Sequence, residues 1–156
     1  MKRTLSLLLV ALLSLTAWAQ NEQDFASRFM ALYAKGSTLT CTTVSPLMME
    51  RMLHLPSVED NEQTKDVLQQ LKSIRLVSNT DASETTHLYE KATSLALRNK
   101  ARYRLQGEEN GKKLYVRRRG KVVVEMVLIT KQNDHLSLVN LTGNMSDKFM
   151  DQLLHL

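Results

Sequence analysis

Residues 101–142 read ARYRLQGEENGKKLYVRRRGKVVVEMVLITKQNDHLSLVNLT, and the fold class turns on this stretch. Asn110-Gly111 is a strong hairpin signal, because a two-residue loop needs positive φ and both residues tolerate it. Gly120 and then Asn133-Asp134 supply the next turns. The segments between them predict four strands, at about Ala101 to Gly107, Lys112 to Arg118, Val122 to Thr130 and His135 to Thr142. Val122 to Ile129 is apolar on both faces except at Glu125, which predicts a central strand covered on both sides.

Helical patterns flank this meander. Downstream, Gly143 breaks the last strand, Ser146 caps a terminal helix, and Met145 and Met150 are spaced for a hydrophobic staple. Upstream, Asp81 with Glu84 resembles a capping box that opens the longest helix, ending near Arg98-Asn99, with Leu88, Ala92, Leu95 and Ala96 as its buried stripe. A strand from Ser73 to Ser78 carries Ile74 and Leu76 inward, after a helix at about Glu62 to Leu71 and a polar loop from Ser57 to Asn61. Ser45-Pro46 opens a helix that ends at Pro56, and Thr38 to Val44 alternates as a strand with Leu39 and Cys41 on one face. Asn21 caps a first helix carrying Phe25, Phe29, Leu32 and Tyr33, which Lys35-Gly36 stops. Helices early and late around consecutive strands predict an α+β fold, with helices packed on an antiparallel or mixed sheet.

The first nineteen residues stand apart from this pattern. Lys2 and Arg3, the apolar run Leu5 to Leu15, and Ala17-Trp18-Ala19 form the three parts of a secretory signal peptide, with cleavage expected between Ala19 and Gln20. The run is short for a membrane span of roughly 20 residues, and Gln20 stands where a lipoprotein would carry cysteine. Residues 20–156 are then expected to form a single α+β domain without a transmembrane segment, periplasmic or secreted. Loss of Lys2 and Arg3 lowers the net charge from +5 by two, and the remaining bases concentrate between Arg98 and Lys121.

Motifs that carry chemistry are scarce. Cys41 is the only cysteine, so no intramolecular disulfide forms, and its threonine-rich surroundings fit a small buried hydrophobe better than a nucleophilic thiolate. Met48, Met49 and Met52 have the spacing of a core helix, which is favoured over a soft metal site, and Glu59, Asp60 and Glu62 read as a solvated turn rather than a calcium loop. His54, His87, His135 and His155 show no paired metal-ligand spacing, and no nucleophile elbow or phosphate loop is present. The sequons at Asn140 and Asn144 are read as chance. No catalytic residue, cofactor or metal ligand is therefore expected.

One basic surface is the sharper lead. A two-residue loop at Asn110-Gly111 sets Leu105 opposite Val116, Arg104 opposite Arg117 and Arg102 opposite Arg119. Like charges facing each other are unfavourable unless solvent, carboxylates or an anionic ligand relieves them. Arg102, Arg104, Arg117 and Arg119 are thus candidate ligand-binding residues, for an anionic envelope component or an acidic patch on an envelope protein. A solvated strand face that resists aggregation explains the same charges. Nucleic acid fits poorly with an extracytoplasmic address and with only Tyr103 and Tyr115 as neighbouring aromatics. The reading is a noncatalytic binding or interaction protein, with a hydrolase or other enzyme built on a noncontiguous site as its alternative.

The order of pieces resembles a known family. The signal peptide, the Phe25 helix, Thr43-Val44-Ser45-Pro46-Leu47-Met48, Lys72-Ser73-Ile74-Arg75-Leu76 before a long helix, the meander, and Leu141-Thr142-Gly143-Asn144 before a short helix are similar to the secreted bacterial DUF4252 family. That resemblance implies an envelope protein and brings no catalytic residues with it. Unlike lipid-anchored members, this chain has no cysteine after the cleavage site.

Overall fold

The computed structural model describes residues 23–154. The leader, its Ala19/Gln20 junction and Asn21 lie outside them. The first helix, α1 (Phe25–Tyr33), is capped by Asp24, whose carboxylate accepts the Ser27 N–H at 2.7 Å. β1 (Thr40–Val44) follows. Then come α2 (Pro46–Leu53), a short α3 (Pro56–Glu59) and α4 (Glu62–Gln69). Pro56 begins α3 instead of only ending its predecessor, because proline is preset for the first position of a helix. The expected polar loop is therefore partly helical.

β2 (Leu71–Ser78) leads through a 3₁₀ turn (Ala82–Glu84) into the long α5 (Thr85–Arg98). The expected capping box does not close. Asp81 caps the 3₁₀ turn through the Ser83 N–H, while Glu84 reaches back to the N–H and hydroxyl of Thr38 at 2.9 and 2.8 Å. Four strands complete the sheet: β3 (Arg104–Glu109), β4 (Lys112–Arg119), β5 (Val122–Gln132) and β6 (His135–Met145). The closing helix, α6 (Asp147–Leu154), starts on Ser146, whose hydroxyl accepts the Phe149 N–H at 3.2 Å.

The six strands lie in the order β1-β2-β6-β5-β4-β3, and every neighbouring pair is antiparallel. This is the expected α+β architecture, and the sheet is antiparallel rather than mixed. α1 and α5 cover one face, where Phe25, Phe29, Leu88, Leu95, Tyr115, Val127 and Leu138 are buried together. The other face is covered by α6, through Phe149 and Met150 on Met126 and Leu141, and by α2 to α4, through Met49, Val58 and Leu68. β5 is the expected central strand, buried on both faces.

β2 corrects one sequence expectation. Val77 is the fully buried residue, on the α1/α5 face, whereas Leu76 on the other face is 48% exposed, where the covering helices stop short. A second correction concerns the arginines. The Asn110-Gly111 loop forms as expected, with Glu109 opposite Lys112 and Glu108 opposite Lys113. Gln106 is then an extra residue, a β-bulge beside Gly107, and beyond it Leu105 faces Tyr115 and Arg104 faces Val116. Opposite charges pair beside the turn with or without the bulge, including Lys113 and Glu108 at 3.2 Å, whereas the shift beyond it removes the predicted arginine pairs.

Candidate functional site

The bulge separates the four predicted arginines. Arg104 shares the sheet face of Val116, whereas Arg117 lies on the opposite face with its cross-strand partner Glu125. Arg102 is not in a strand. It sits in the turn after α5, donates to the Gln23 carbonyl at 2.7 Å and lies 5.6 Å from the centre of the Tyr103 ring. Arg117 and Arg119 do come together, in a cleft that the sequence reading did not foresee.

The cleft opens where the strand ends of β1, β2, β6, β5 and β4 meet the starts of α1 and α2. Its volume is about 810 Å³, within the range of about 300–1,000 Å³ found for small-molecule sites. Four cations line it: Lys72, Arg75, Arg117 and Arg119. Bulges at Lys72 in β2 and at Val124 in β5, both residues of its wall, bend the strands here and re-aim their side chains. Thr43, Ser45, Ser73 and Thr142 add hydroxyls, and Pro46, Met49 and Leu53 of α2 form an apolar margin.

Two of the cations are fixed from behind. Arg75 donates through Nε to Asp24 at 2.9 Å and through Nη1 to the Thr43 hydroxyl at 3.0 Å. Arg117 donates through Nε to Glu125 Oε2 at 2.8 Å, and its terminal nitrogens meet no partner among the described residues. Arg119 and Lys72 also lack hydrogen-bonded partners among the described residues, and both are exposed. Between the two tethered arginines, the hydroxyls of Ser73 and Thr142 bond each other at 2.6 Å.

Glu125 is the buried centre of this arrangement, with no exposed surface. Oε1 accepts the Phe25 N–H at 2.6 Å and the Asn140 amide at 3.1 Å, while Oε2 accepts the Tyr103 hydroxyl at 3.1 Å besides Arg117. Four donors, one of them charged, replace the water that a carboxylate loses on burial. Asn140 in turn accepts the Ala26 N–H at 2.8 Å, so one acid and one amide receive the first amides of α1. Burial and the adjacent Glu125 carboxylate push the Tyr103 phenol well above the ordinary tyrosine range.

Other sequence candidates find structural roles. Arg118 donates to Asp147 at 2.6 Å and Lys113 pairs with Glu108, so part of the basic end is neutralised. Cys41 is half-buried against the α1/α5 core. His54 lies 3.6 Å from Glu59 on the exposed surface, and His87 and His135 are exposed; none of the three lines the cleft. Asn140 is buried inside the network, whereas Asn144, of the second sequon, is exposed. Among the described residues, no group of three His, Cys, Asp or Glu could hold a metal ion. No helix among them is long and apolar enough to cross a membrane.

The sequence reading missed Arg75 and Lys72 as site residues. A signal was available for Arg75: it alternates with Ser73 and Val77, so a strand that buries Val77 must also turn a guanidinium toward the covered face. A family model described as Domain of unknown function (DUF4252) matches residues 33–153, a stretch that begins at the last residue of α1 and takes in every strand. No curated protein and no solved structure matches the chain.

Proposed function

The chain belongs to the DUF4252 family, and for this member we propose a noncatalytic binding role in the cell envelope, with the α1-side cleft as the surface that takes an anionic group. The carrying observation is the pair of guanidiniums, Arg75 and Arg117, each anchored at Nε by a carboxylate while Arg119 and Lys72 stand unpartnered beside them. Anchoring matters because a side chain already held in place loses less freedom when a ligand arrives. Guanidinium edges donate to carboxylate or phosphate oxygens in bidentate fashion, and the neighbouring hydroxyls add donors. The secretory signal read at residues 1–19 supports an address in the periplasm or outside the cell.

The cleft wall offers cations, hydroxyls, amides and the carboxylates of Asp24 and Glu50, with no histidine or cysteine among its described residues. Asp24 is already engaged by Arg75 and the Ser27 N–H, which supports binding over hydrolysis. The test uses Lys72→Gln combined with Arg119→Gln, since both residues are exposed and the fold does not depend on them. Arg104→Gln on the opposite face is the control. Binding to anionic glycan and lipid fractions of the envelope is expected to fall in the double variant and to persist in the control. Equal binding by wild type and double variant, with matching circular dichroism, would sink the proposal.

A further inference from the structure

The separation of the two anchored arginines says more about the ligand. We infer that it carries two acidic groups joined by a polar spacer, one seated at Arg75 and the other at Arg117 and Arg119. This rests on the anion-binding reading of the cleft. Arg75 stands on β2 and Arg117 on β4, with β6 and β5 between them. Three inter-strand steps separate the stems by about 14 Å at 4.7–4.9 Å each.

The guanidiniums do not share one anchor. Arg75 is held by Asp24 and Thr43 at the β1 side, and Arg117 by Glu125 on β5. Drawing Arg117 off Glu125 toward Arg75 would strip a charged donor from a buried acid, which is costly. The interval between the seats is neutral and hydroxylated, through Ser73 and Thr142. That floor suits a polar spacer, and Lys72, next to Ser73, lines the cleft as a further cation. Among the described residues, no aromatic side chain lines the cleft to stack a base or a ring.

Charge supports the same conclusion. A single carboxylate or phosphate meets one arginine seat, whose own anchor already offsets much of its charge. Two linked acidic groups engage both seats, and the second contact gains from effective concentration.

The experiment titrates the full mature chain with linear dicarboxylates of increasing length and with the matching monocarboxylates, followed by NMR chemical shifts. A parallel series of bisphosphonates and inorganic phosphate separates carboxylate from phosphate preference. An optimum in spacer length is expected in at least one series, with the best diacid binding about tenfold or more tighter than its monoacid. Arg119→Gln, and separately Arg75→Gln, is expected to bring that diacid down to the level of the monoacid. Affinity that rises with charge but shows no optimum in length in either series would overturn the two-seat inference while leaving anion binding intact. Failure of every anion to bind would overturn both.

Discussion

The carboxylate of Glu125 accepts the backbone N–H of Phe25 at 2.6 Å, across a separation of 100 residues in sequence. The contact joins the centre of the sheet to the first turn of α1, where unpaired amides and the helix dipole favour a negative charge. Its other oxygen holds Arg117, which faces the cleft. One buried acid therefore both docks a helix and positions a candidate ligand-binding cation.

Replacing that acid separates charge from shape. Glu125→Gln retains an oxygen for the Phe25 N–H but leaves Arg117 without its counter-charge and places an amide where a second acceptor stood. Breaking a fully buried pair costs about 3–5 kcal/mol, and because Arg117 keeps some access to water we expect about 2–3 kcal/mol here. Urea unfolding at neutral pH measures it. A change below about 0.5 kcal/mol, the range of ordinary surface substitutions, would show that the charge of Glu125 and its pairing with Arg117 contribute little to stability.

Tyr103 gives a pH-dependent signature. Its pKa in the folded protein lies well above the unfolded value of about 10, so the folded state keeps the phenolic proton where the unfolded state releases it. Stability from this group is complete below pH 10 and declines as pH rises above that point. Tyr103→Phe should lose about 1 kcal/mol at neutral pH, from the missing hydrogen bond to Glu125, and should show a shallower alkaline decline than wild type. Thermal melts at pH 7, 9 and 11 test this; parallel declines in the two proteins would contradict it.

The meander, its central strand and the terminal helix were legible in the sequence because each rests on local chemistry. Asn110-Gly111 makes its loop, Val123 to Ile129 packs on both faces, and Ser146 with Met145 and Met150 starts the last helix. The arginine pairs were misread because one residue decides them. Gln106 bulges, and a shift of one position exchanges the faces of a strand relative to its neighbour. Nothing in the local pattern announces that bulge, because the oppositely charged pairs beside the turn are the same with or without it. The cleft was hidden for a related reason, since Arg75 and Arg117 meet the same cavity only after β6 and β5 are inserted between their strands.

Gly143 marks where β6 passes closest to the end of α4. A Cβ placed there would overlap the backbone carbonyl of Gln70, which also accepts the Asn144 N–H at 2.9 Å. Backbone cannot swing aside as a side chain does, so Gly143→Ala must displace the β2–β6 bulge next to the cleft. The expected cost is about 2–3 kcal/mol, at the upper end for overpacking. Denaturant midpoints would show it, and an unchanged midpoint would mean that this junction yields freely.

Asp24 allows charge in the cleft to be altered with little change in the fold. Asparagine caps helices about as well as aspartate, so Asp24→Asn should keep α1 in place, and the partly exposed pair with Arg75 contributes at most about 1 kcal/mol. The same change removes a negative charge from the cleft wall. At about 6 Å in a water-like dielectric, repulsion between that charge and an incoming monoanion is about 0.7 kcal/mol, or roughly threefold in affinity. Two effects compete, because loss of the Asp24 anchor also loosens Arg75. Thr43 still holds its Nη1, so the electrostatic gain should prevail and monoanion affinity should rise. Titration of Asp24→Asn with inorganic phosphate at low salt measures the balance, and a fall in affinity would show instead that the carboxylate matters chiefly by orienting the guanidinium.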